Sequence, residues 1–100
     1  MRLTAQEDRL TLWEGEQPAA RVEFPRHKGR TVAFTQTWVA PAFAARRQEL
    51  LDQLFEEAAR RLIEKEMGAI FFAPEAQRWF ARHPEYRKRL PSQVKEKPSY

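Results

Sequence analysis

Two adjacent arginines, Arg46 and Arg47, lie where a loop meets the start of a long predicted helix. The first N–H groups of a helix have no partner within the helix and, together with the helix dipole, they favour negative charge. Cations are therefore normally disfavoured there, but two guanidinium groups fit the position if they pair with a bound anion such as phosphate. The alternative is that both side chains point into solvent and that Glu49 offsets their charge. The residues alone leave both interpretations open.

Other residues of chemically capable types are scattered along the chain. Gln36 is polar on an otherwise apolar predicted strand face, and a buried amide needs a partner, either a substrate or, more commonly, the neighbouring backbone. Glu75, His83 and Tyr86 are of the types that transfer protons. No spacing ties these three together, so the sequence assigns no catalytic residue.

Basic charge is concentrated in two places. The turn at 26–30 is basic and lies near Phe24 and Phe34, an arrangement that can bind RNA on a sheet surface. It matches no RNA-binding motif, so a solvated hairpin turn is the favoured interpretation. The net charge of +4 lies in the last 26 residues, which hold seven basic and three acidic residues. This end can attract phosphates, but a solvated helix face with a basic tail is favoured over a nucleic-acid partner.

The composition indicates one soluble globular domain of 100 residues with a modest core, 42% hydrophobic and 32% charged. The absence of cysteine excludes disulfides and thiolate chemistry, and two histidines are too few for a metal cluster, so no metal is predicted. No apolar run approaches the length of a membrane span, and the N-terminus lacks the apolar core of a signal peptide. We therefore expect a cytoplasmic protein without a membrane partner.

One long amphipathic helix is predicted between a loop at Ala40 and Pro41 and an end near Met67. Its apolar residues recur at intervals of three and four and form a single stripe that faces a core. Gly68 is expected to end the helix, because glycine adopts the left-handed conformation without steric cost. The stripe consists of Leu51, Leu54, Phe55, Ala58, Leu62 and Ile63.

Three strands are predicted before this helix, at 9–13, 19–24 and 31–39, from their alternating or β-rich patterns. The connections between them are short, which favours an antiparallel meander. In the third strand, the alternation places Phe34 and Trp38 on the same face.

After the long helix, the apolar run 69–73 predicts a buried strand, and Pro74 and Pro84 each open a helical segment. Residues 91–100 lack periodicity and are predicted to form a mobile basic tail beyond a single domain at 1–90. The order β-β-β-α-β-α defines an α+β fold with one long central helix packed on the sheet.

Two short motifs carry a resemblance to a known family. The sequence QTWVAP at 36–41, followed by the long helix and by HPEY at 83–86, resembles the small, single-domain branch of the GNAT N-acetyltransferase superfamily. The resemblance covers about residues 9 to 90 and implies a GNAT-like mixed sheet.

The resemblance implies acetyl-CoA as cosubstrate. Pantetheine would lie between the strand that ends near Val39 and the strand at 71–73, with the pyrophosphate on N–H groups at the start of the long helix. An amine would attack the thioester, a base would take its proton, and backbone donors would stabilise the oxyanion. The cofactor-binding residues so implied are Thr37, Trp38, Val39, Arg46, Arg47, Gln48, Leu50, Phe72 and Ala73.

The sequence departs from the family pattern at the cofactor positions. Gln36 stands where the family has histidine, and Ala73 stands where the branch often has cysteine. Arg47 and Glu49 replace glycines of the phosphate-binding loop, although glycine lets a ligand approach the backbone closely. Two functions are therefore weighed, an acetyltransferase acting on an amine and a catalytically degenerate member that serves as a protein-interaction module. Nucleic-acid binding by the basic end is a third, weaker hypothesis.

Overall fold

The computed structural model describes residues 1–90, and the predicted tail at 91–100 lies outside the described residues. A 3-10 helix at Pro41–Arg46 runs directly into the long helix. The strands are β1 (Arg2–Gln6), β2 (Arg9–Glu14), β3 (Gln17–Glu23), β4 (Arg26–Lys28), β5 (Thr31–Phe34), β6 (Gln36–Val39) and β7 (Gly68–Phe71), and the helices are α1 (Arg47–Glu64), α2 (Pro74–Arg82) and α3 (Pro84–Arg87).

The strands form two bonded groups that share one long hairpin. One group has the order β1-β2-β3-β6 and is antiparallel, and the other has the order β4-β5-β7, with β5 and β7 parallel. The hairpin continues across the irregularity between the groups, since Thr35 donates its N–H to the Glu23 carbonyl at 3.1 Å and Ala33 donates to Pro25 at 2.9 Å. The predicted α+β class with a mixed sheet is confirmed.

Helix α1 packs its apolar stripe on β2 and β3. The stripe is buried as predicted, apart from Ile63, which is half-buried. Burial of this face is the main source of the helix's stability, because apolar area removed from water contributes about 25 cal/mol per Å². The buried residues of α1 are Leu50, Leu51, Leu54, Phe55, Ala58, Ala59 and Leu62.

Phe34 is the centre of an aromatic cluster that joins both strand groups to the helices. Its ring centroid lies 5.3 Å from Phe24, 6.0 Å from Phe55, 5.7 Å from Phe71 and 5.6 Å from Phe80. Only 1% of Phe34 is exposed. The cluster fixes α1 and α2 on the same side of the sheet.

The prediction of one uninterrupted strand at 31–39 is wrong. Thr35 separates β5 from β6, and this extra residue shifts the alternation of faces, as a β-bulge does. As a result Val39, which is buried, shares the α1 face with Phe34, whereas Trp38 lies on the opposite face.

Two strands were not predicted. β1 is mostly polar and pairs with β2, while β4 is a three-residue exposed strand inside the predicted basic turn. Neither buries an alternating apolar face, which is the signal that strand prediction uses. Both are held by backbone hydrogen bonds to a neighbouring strand.

Gly68 does not end the long helix, contrary to the prediction. Helix α1 ends at Glu64, and Glu66 adopts the left-handed conformation with φ of 56°. The N–H of Met67 donates to the Leu62 carbonyl at 2.9 Å, and the N–H of Glu66 donates to Ile63 at 3.0 Å, which is a Schellman motif. Gly68 instead begins β7.

Replacing Glu66 with glycine is expected to raise the free energy of unfolding by about 1 kcal/mol, because glycine adopts this conformation without the clash of a Cβ atom. Urea unfolding followed by circular dichroism measures the change. The control is Glu64→Gly, which places glycine at a helical position two residues earlier and is expected to lower stability by about 0.5–1 kcal/mol. A Glu66→Gly variant no more stable than the parent would contradict the prediction.

Candidate functional site

Within residues 1–90, β6 is not paired with the segment that follows β7, and the space between these two segments is called the gap. The N–H groups of Phe72 and Ala73 both donate to the Phe34 carbonyl, at 3.1 and 2.9 Å. Beyond this point the chain turns into α2, and in the described residues β6 pairs with β3 alone. One edge of β6 therefore faces the gap.

Alternation along the β3–β6 ladder decides which backbone groups point into the gap. Ala40 donates its N–H to the Ala19 carbonyl at 2.9 Å, so these two residues form a hydrogen-bonded pair. Hydrogen-bonded and non-hydrogen-bonded pairs alternate in an antiparallel ladder. Trp38 is therefore bonded to β3, and the N–H and C=O groups of Thr37 and Val39 are directed away from β3, toward the gap.

The start of α1 lies at the mouth of this gap. The preceding 3-10 helix satisfies part of the helix end, since the N–H of Arg47 donates to the Ala44 carbonyl. Neither helix has a side-chain hydrogen bond at its N-cap. The N–H of Arg47, one of the helix-start donors predicted to bind an anion, is therefore already bonded within the chain.

The carboxylate of Glu75, in the first turn of α2, joins three elements around the gap. From β6, Thr37 Oγ1 donates to Glu75 Oε1 at 2.5 Å. From α1, Arg47 Nε donates to Oε2 at 2.7 Å and Arg47 Nη2 donates to Oε1 at 2.6 Å. This is a bidentate ion pair, with 43% of the Arg47 side chain and 25% of the Glu75 side chain exposed.

These contacts keep Glu75 charged. The hydrogen bond from Arg47 lowers the pKa of the Glu75 carboxyl below its ordinary value, against the opposite effect of partial burial. The Thr37 hydroxyl and the charges of Arg47 and Arg78 act in the same direction as that hydrogen bond. The same bond raises the pKa of Arg47.

Arg46 and Arg47 each fit a different one of the two interpretations that the sequence left open. Arg46 pairs with Glu49 at 3.1 Å in an exposed ion pair, so Glu49 offsets its charge as the solvent interpretation requires. Arg47 meets an anion, as the other interpretation requires, and that anion is the carboxylate of Glu75.

The other predicted cofactor-binding residues occupy different environments. Gln48 is exposed, and Phe72 is 57% exposed. Leu50 is fully buried in the core, so its side chain does not reach the gap. Ala73 is buried where β7 passes into α2, and Trp38 is half-buried on the face away from α1. Of the predicted cofactor-binding residues, the structure therefore brings Thr37 of β6 and Arg47 of the helix start together, through Glu75.

The residues considered for proton transfer do not form one group. The rings of His83 and Trp79 stack at 3.9 Å, and His83 Nδ1 lies 2.8 Å from the Trp79 carbonyl oxygen. The Tyr86 hydroxyl donates to Glu56 at 2.9 Å, which raises the pKa of Tyr86. These side chains pack α2 and α3 against α1, whereas Glu75 lies at the gap.

Gln36 is exposed, which corrects the expectation of a polar group on an apolar face. The break at Thr35 moves its side chain out of the core, so no buried partner is required. Sequence reasoning also missed the contact of Glu75 with Thr37 and Arg47. The partners are 38 and 28 residues apart, and the only local signal was a pair of cations at a helix start.

Residues 9–90 match the model of the GCN5-related N-acetyl-transferase family, and the chain belongs to this family. The fold is also similar to the NMR solution structure of a proposed GCN5-like N-acetyltransferase from Staphylococcus aureus. The TM-score is 0.61 at 13% identity, over 97% of this chain and 96% of that chain, so this similarity concerns the fold alone. The comparison with curated proteins gave no match.

The family assignment confirms the resemblance and establishes an acetyltransferase-like protein. Within residues 1–90, none of the helices is both long and apolar enough to cross a membrane. In the same part of the chain, no three His, Cys, Asp or Glu residues are grouped so that they could hold a metal ion.

Replacing Glu75 with glutamine is expected to lower the free energy of unfolding by about 1 kcal/mol at pH 7, because Arg47 loses a partly buried charged partner. The folded-state pKa of Glu75 lies below its ordinary value of 4.5. Its contribution is therefore present above that value and is lost as the pH falls through the folded-state pKa. Urea unfolding at pH 7 should show that the parent is more stable than Glu75→Gln. At pH 3 the difference between their free energies of unfolding should be smaller.

The control for this experiment is Glu49→Gln, which removes a carboxylate from an exposed pair in the same region. We expect it to leave the stability nearly unchanged, as substitutions at exposed positions usually do. A difference between the parent and Glu75→Gln that is the same at both pH values would contradict the assignment of an ionised Glu75.

Proposed function

We propose that the chain transfers an acetyl group from acetyl-CoA to an amine. The observation that carries this proposal is the free edge of β6 beside a cluster of arginines at the start of α1. A strand edge offers N–H and C=O groups to the amides of an extended ligand, and guanidinium groups offer paired donors to its phosphates. Membership of the acetyltransferase family supports the same choice of ligand.

The pantetheine arm would lie along β6. The N–H and C=O groups of Thr37 and Val39 would bond its amides, because these groups are directed away from β3. On the opposite side the gap is bounded by Phe72 and Ala73, whose own N–H groups are already bonded to Phe34. These two residues would therefore contact the arm through their side chains and shape the gap.

The phosphate end would lie at the mouth of the gap, with Arg46, Arg47 and the backbone around Gln48. Leu50 would contribute through its position in the helix and not through its buried side chain. Arg78 and Arg82 line a small recess of about 50 Å³ beside Glu75. Among residues 1–90, neither has a carboxylate within ion-pair distance, so the mouth carries positive charge that attracts a phosphorylated ligand.

The chemistry proposed is direct transfer. The amine nitrogen would attack the thioester carbonyl carbon, the C–S bond would break, CoA would leave as its thiolate, and the proton lost by the nitrogen would pass to solvent. Backbone N–H groups at the free edge would stabilise the negative charge that develops on the carbonyl oxygen. Holding both reactants in the gap would supply much of the rate enhancement, since it makes the reaction effectively unimolecular.

The alternative is a non-catalytic member of the family that binds another protein. The observation that favours it is that Glu75 already occupies the guanidinium of Arg47. The two proposals differ in one measurable respect, because only the first requires acetyl-CoA to bind.

Isothermal titration calorimetry with acetyl-CoA and CoA tests the proposal. Both ligands are expected to bind, and Arg47→Ala is expected to weaken binding about tenfold or more, because one charge-assisted contact is worth about 1.5–3 kcal/mol. The control is Arg60→Ala, which removes the same charge from the same helix, where Arg60 pairs with Glu56 and Glu57. Absence of heat at high protein concentration would reject the enzyme in favour of the alternative. An equal loss in the control would instead show that the effect of Arg47→Ala is one of net charge and that Arg47 does not contact the ligand.

A further inference from the structure

Arg47 is the cation that a phosphate of the proposed ligand would bind, and in this structure the carboxylate of Glu75 is already bonded to it. Both nitrogens on one edge of the Arg47 guanidinium, Nε and Nη2, are bonded to Glu75. A phosphate prefers the same paired donors, because two parallel N–H bonds match the geometry of its oxygens. Glu75 and a phosphate cannot both form a bidentate pair with this edge, so a bound phosphate either replaces Glu75 here or uses the Nη1–Nη2 edge.

On the basis of the proposed acetyl-CoA site, we propose that Glu75 is an affinity-determining residue, an internal anion that a phosphate of CoA must replace on Arg47. Binding is then an exchange of one anion for another at a single guanidinium. The measured affinity for CoA reports the difference between the two pairings.

The resident pair is suited to exchange. Side chains exposed by 43% and 25% are in contact with water, and ion pairs in such places contribute at most about 1 kcal/mol, which the pairing of Arg47 with a phosphate can offset. The pyrophosphate of CoA carries two negative charges against one on the carboxylate, and its oxygens accept paired bonds from a guanidinium group as carboxylate oxygens do. Arg78 and Arg82, which form no ion pair with another residue of 1–90, line the recess beside Glu75 and also favour the more highly charged anion.

The exchange also changes the gap itself. Glu75 accepts a hydrogen bond from Thr37 on β6, so the carboxylate links α2 to β6 as well as to α1. Loss of its bidentate bond to Arg47 would leave the Thr37 hydroxyl as its hydrogen-bond partner among residues 1–90, so the carboxylate would no longer link α2 to α1. Ligand binding and release of this link are therefore coupled.

Calorimetric titration of CoA into the parent protein, Glu75→Gln and Glu57→Gln tests the exchange. Glu75→Gln is expected to bind CoA about five- to tenfold more tightly, because the competing charge is absent. Glu57→Gln is the matched control. Its carboxylate is also 25% exposed and pairs with arginine, but those partners, Arg60 and Arg61, lie along α1 away from the gap. It is expected to leave the affinity unchanged.

A second measurement uses the parent protein without substitution. Carbon-detected NMR titration of the Glu75 carboxyl should show its pKa rise when CoA is present in saturating amounts, because Arg47 leaves it and a phosphate approaches. Arg78 on the same helix and Arg47 on α1 are the charged groups that face this carboxyl. A pKa that stays the same with CoA bound would overturn the exchange.

The outcomes separate this inference from the proposed function. If CoA binds the parent protein but Glu75→Gln binds with equal or lower affinity, the exchange is wrong and the acetyl-CoA site stands. An equal gain in Glu57→Gln would also overturn it, since the effect would then be one of net charge. If neither the parent nor Glu75→Gln binds CoA, the proposed function fails and the exchange fails with it.

Discussion

The consecutive strands β5 and β6 have different pairing partners on either side of Thr35, and the candidate site depends on this change. Before it, β5 lies between β4 and β7. After it, β6 is bonded to β3, and no other strand within residues 1–90 pairs with its second edge. Phe34 fixes the point of divergence, because its carbonyl accepts two N–H groups from the end of β7 and its ring is held in the aromatic cluster. The gap is thus a product of backbone pairing and does not depend on a particular side chain along β6.

The second constraint is electrostatic. Arg46 and Arg47 bring two positive charges to a helix start, where the helix dipole disfavours them. Each is offset by a carboxylate, Glu49 within the same turn and Glu75 from α2. The Arg46–Glu49 pair is formed within one turn of the helix. The Arg47–Glu75 pair, in contrast, forms only when α2 is packed in place. The charge at the mouth of the gap therefore depends on tertiary structure.

The elements with strong periodicity could be predicted from the sequence. Leu51, Leu54, Phe55, Ala58 and Leu62 recur at the helical spacing, and their burial follows from that spacing. The break at Thr35 could not be predicted, because the alternating pattern continues through it, and only the positions of β3 and β7 reveal the change of partner. The left-handed Glu66 was equally hidden, since the glycine two residues later is the better local candidate for that conformation.

The candidate site could be predicted only in part, for a related reason. Two arginines at a helix start are an unusual local feature that the sequence alone reveals. The partner of the second arginine, Glu75, however, comes from α2, which is distant in the sequence. The position of α2 is set by Trp79, whose indole N–H donates to Asp52 on α1 at 2.9 Å, and by Tyr86, whose hydroxyl donates to Glu56 on α1 at 2.9 Å. The HPEY motif at 83–86 therefore affects the candidate site indirectly, through the position of α2. It holds α2 against α1, and the first turn of α2 then carries Glu75 to the gap.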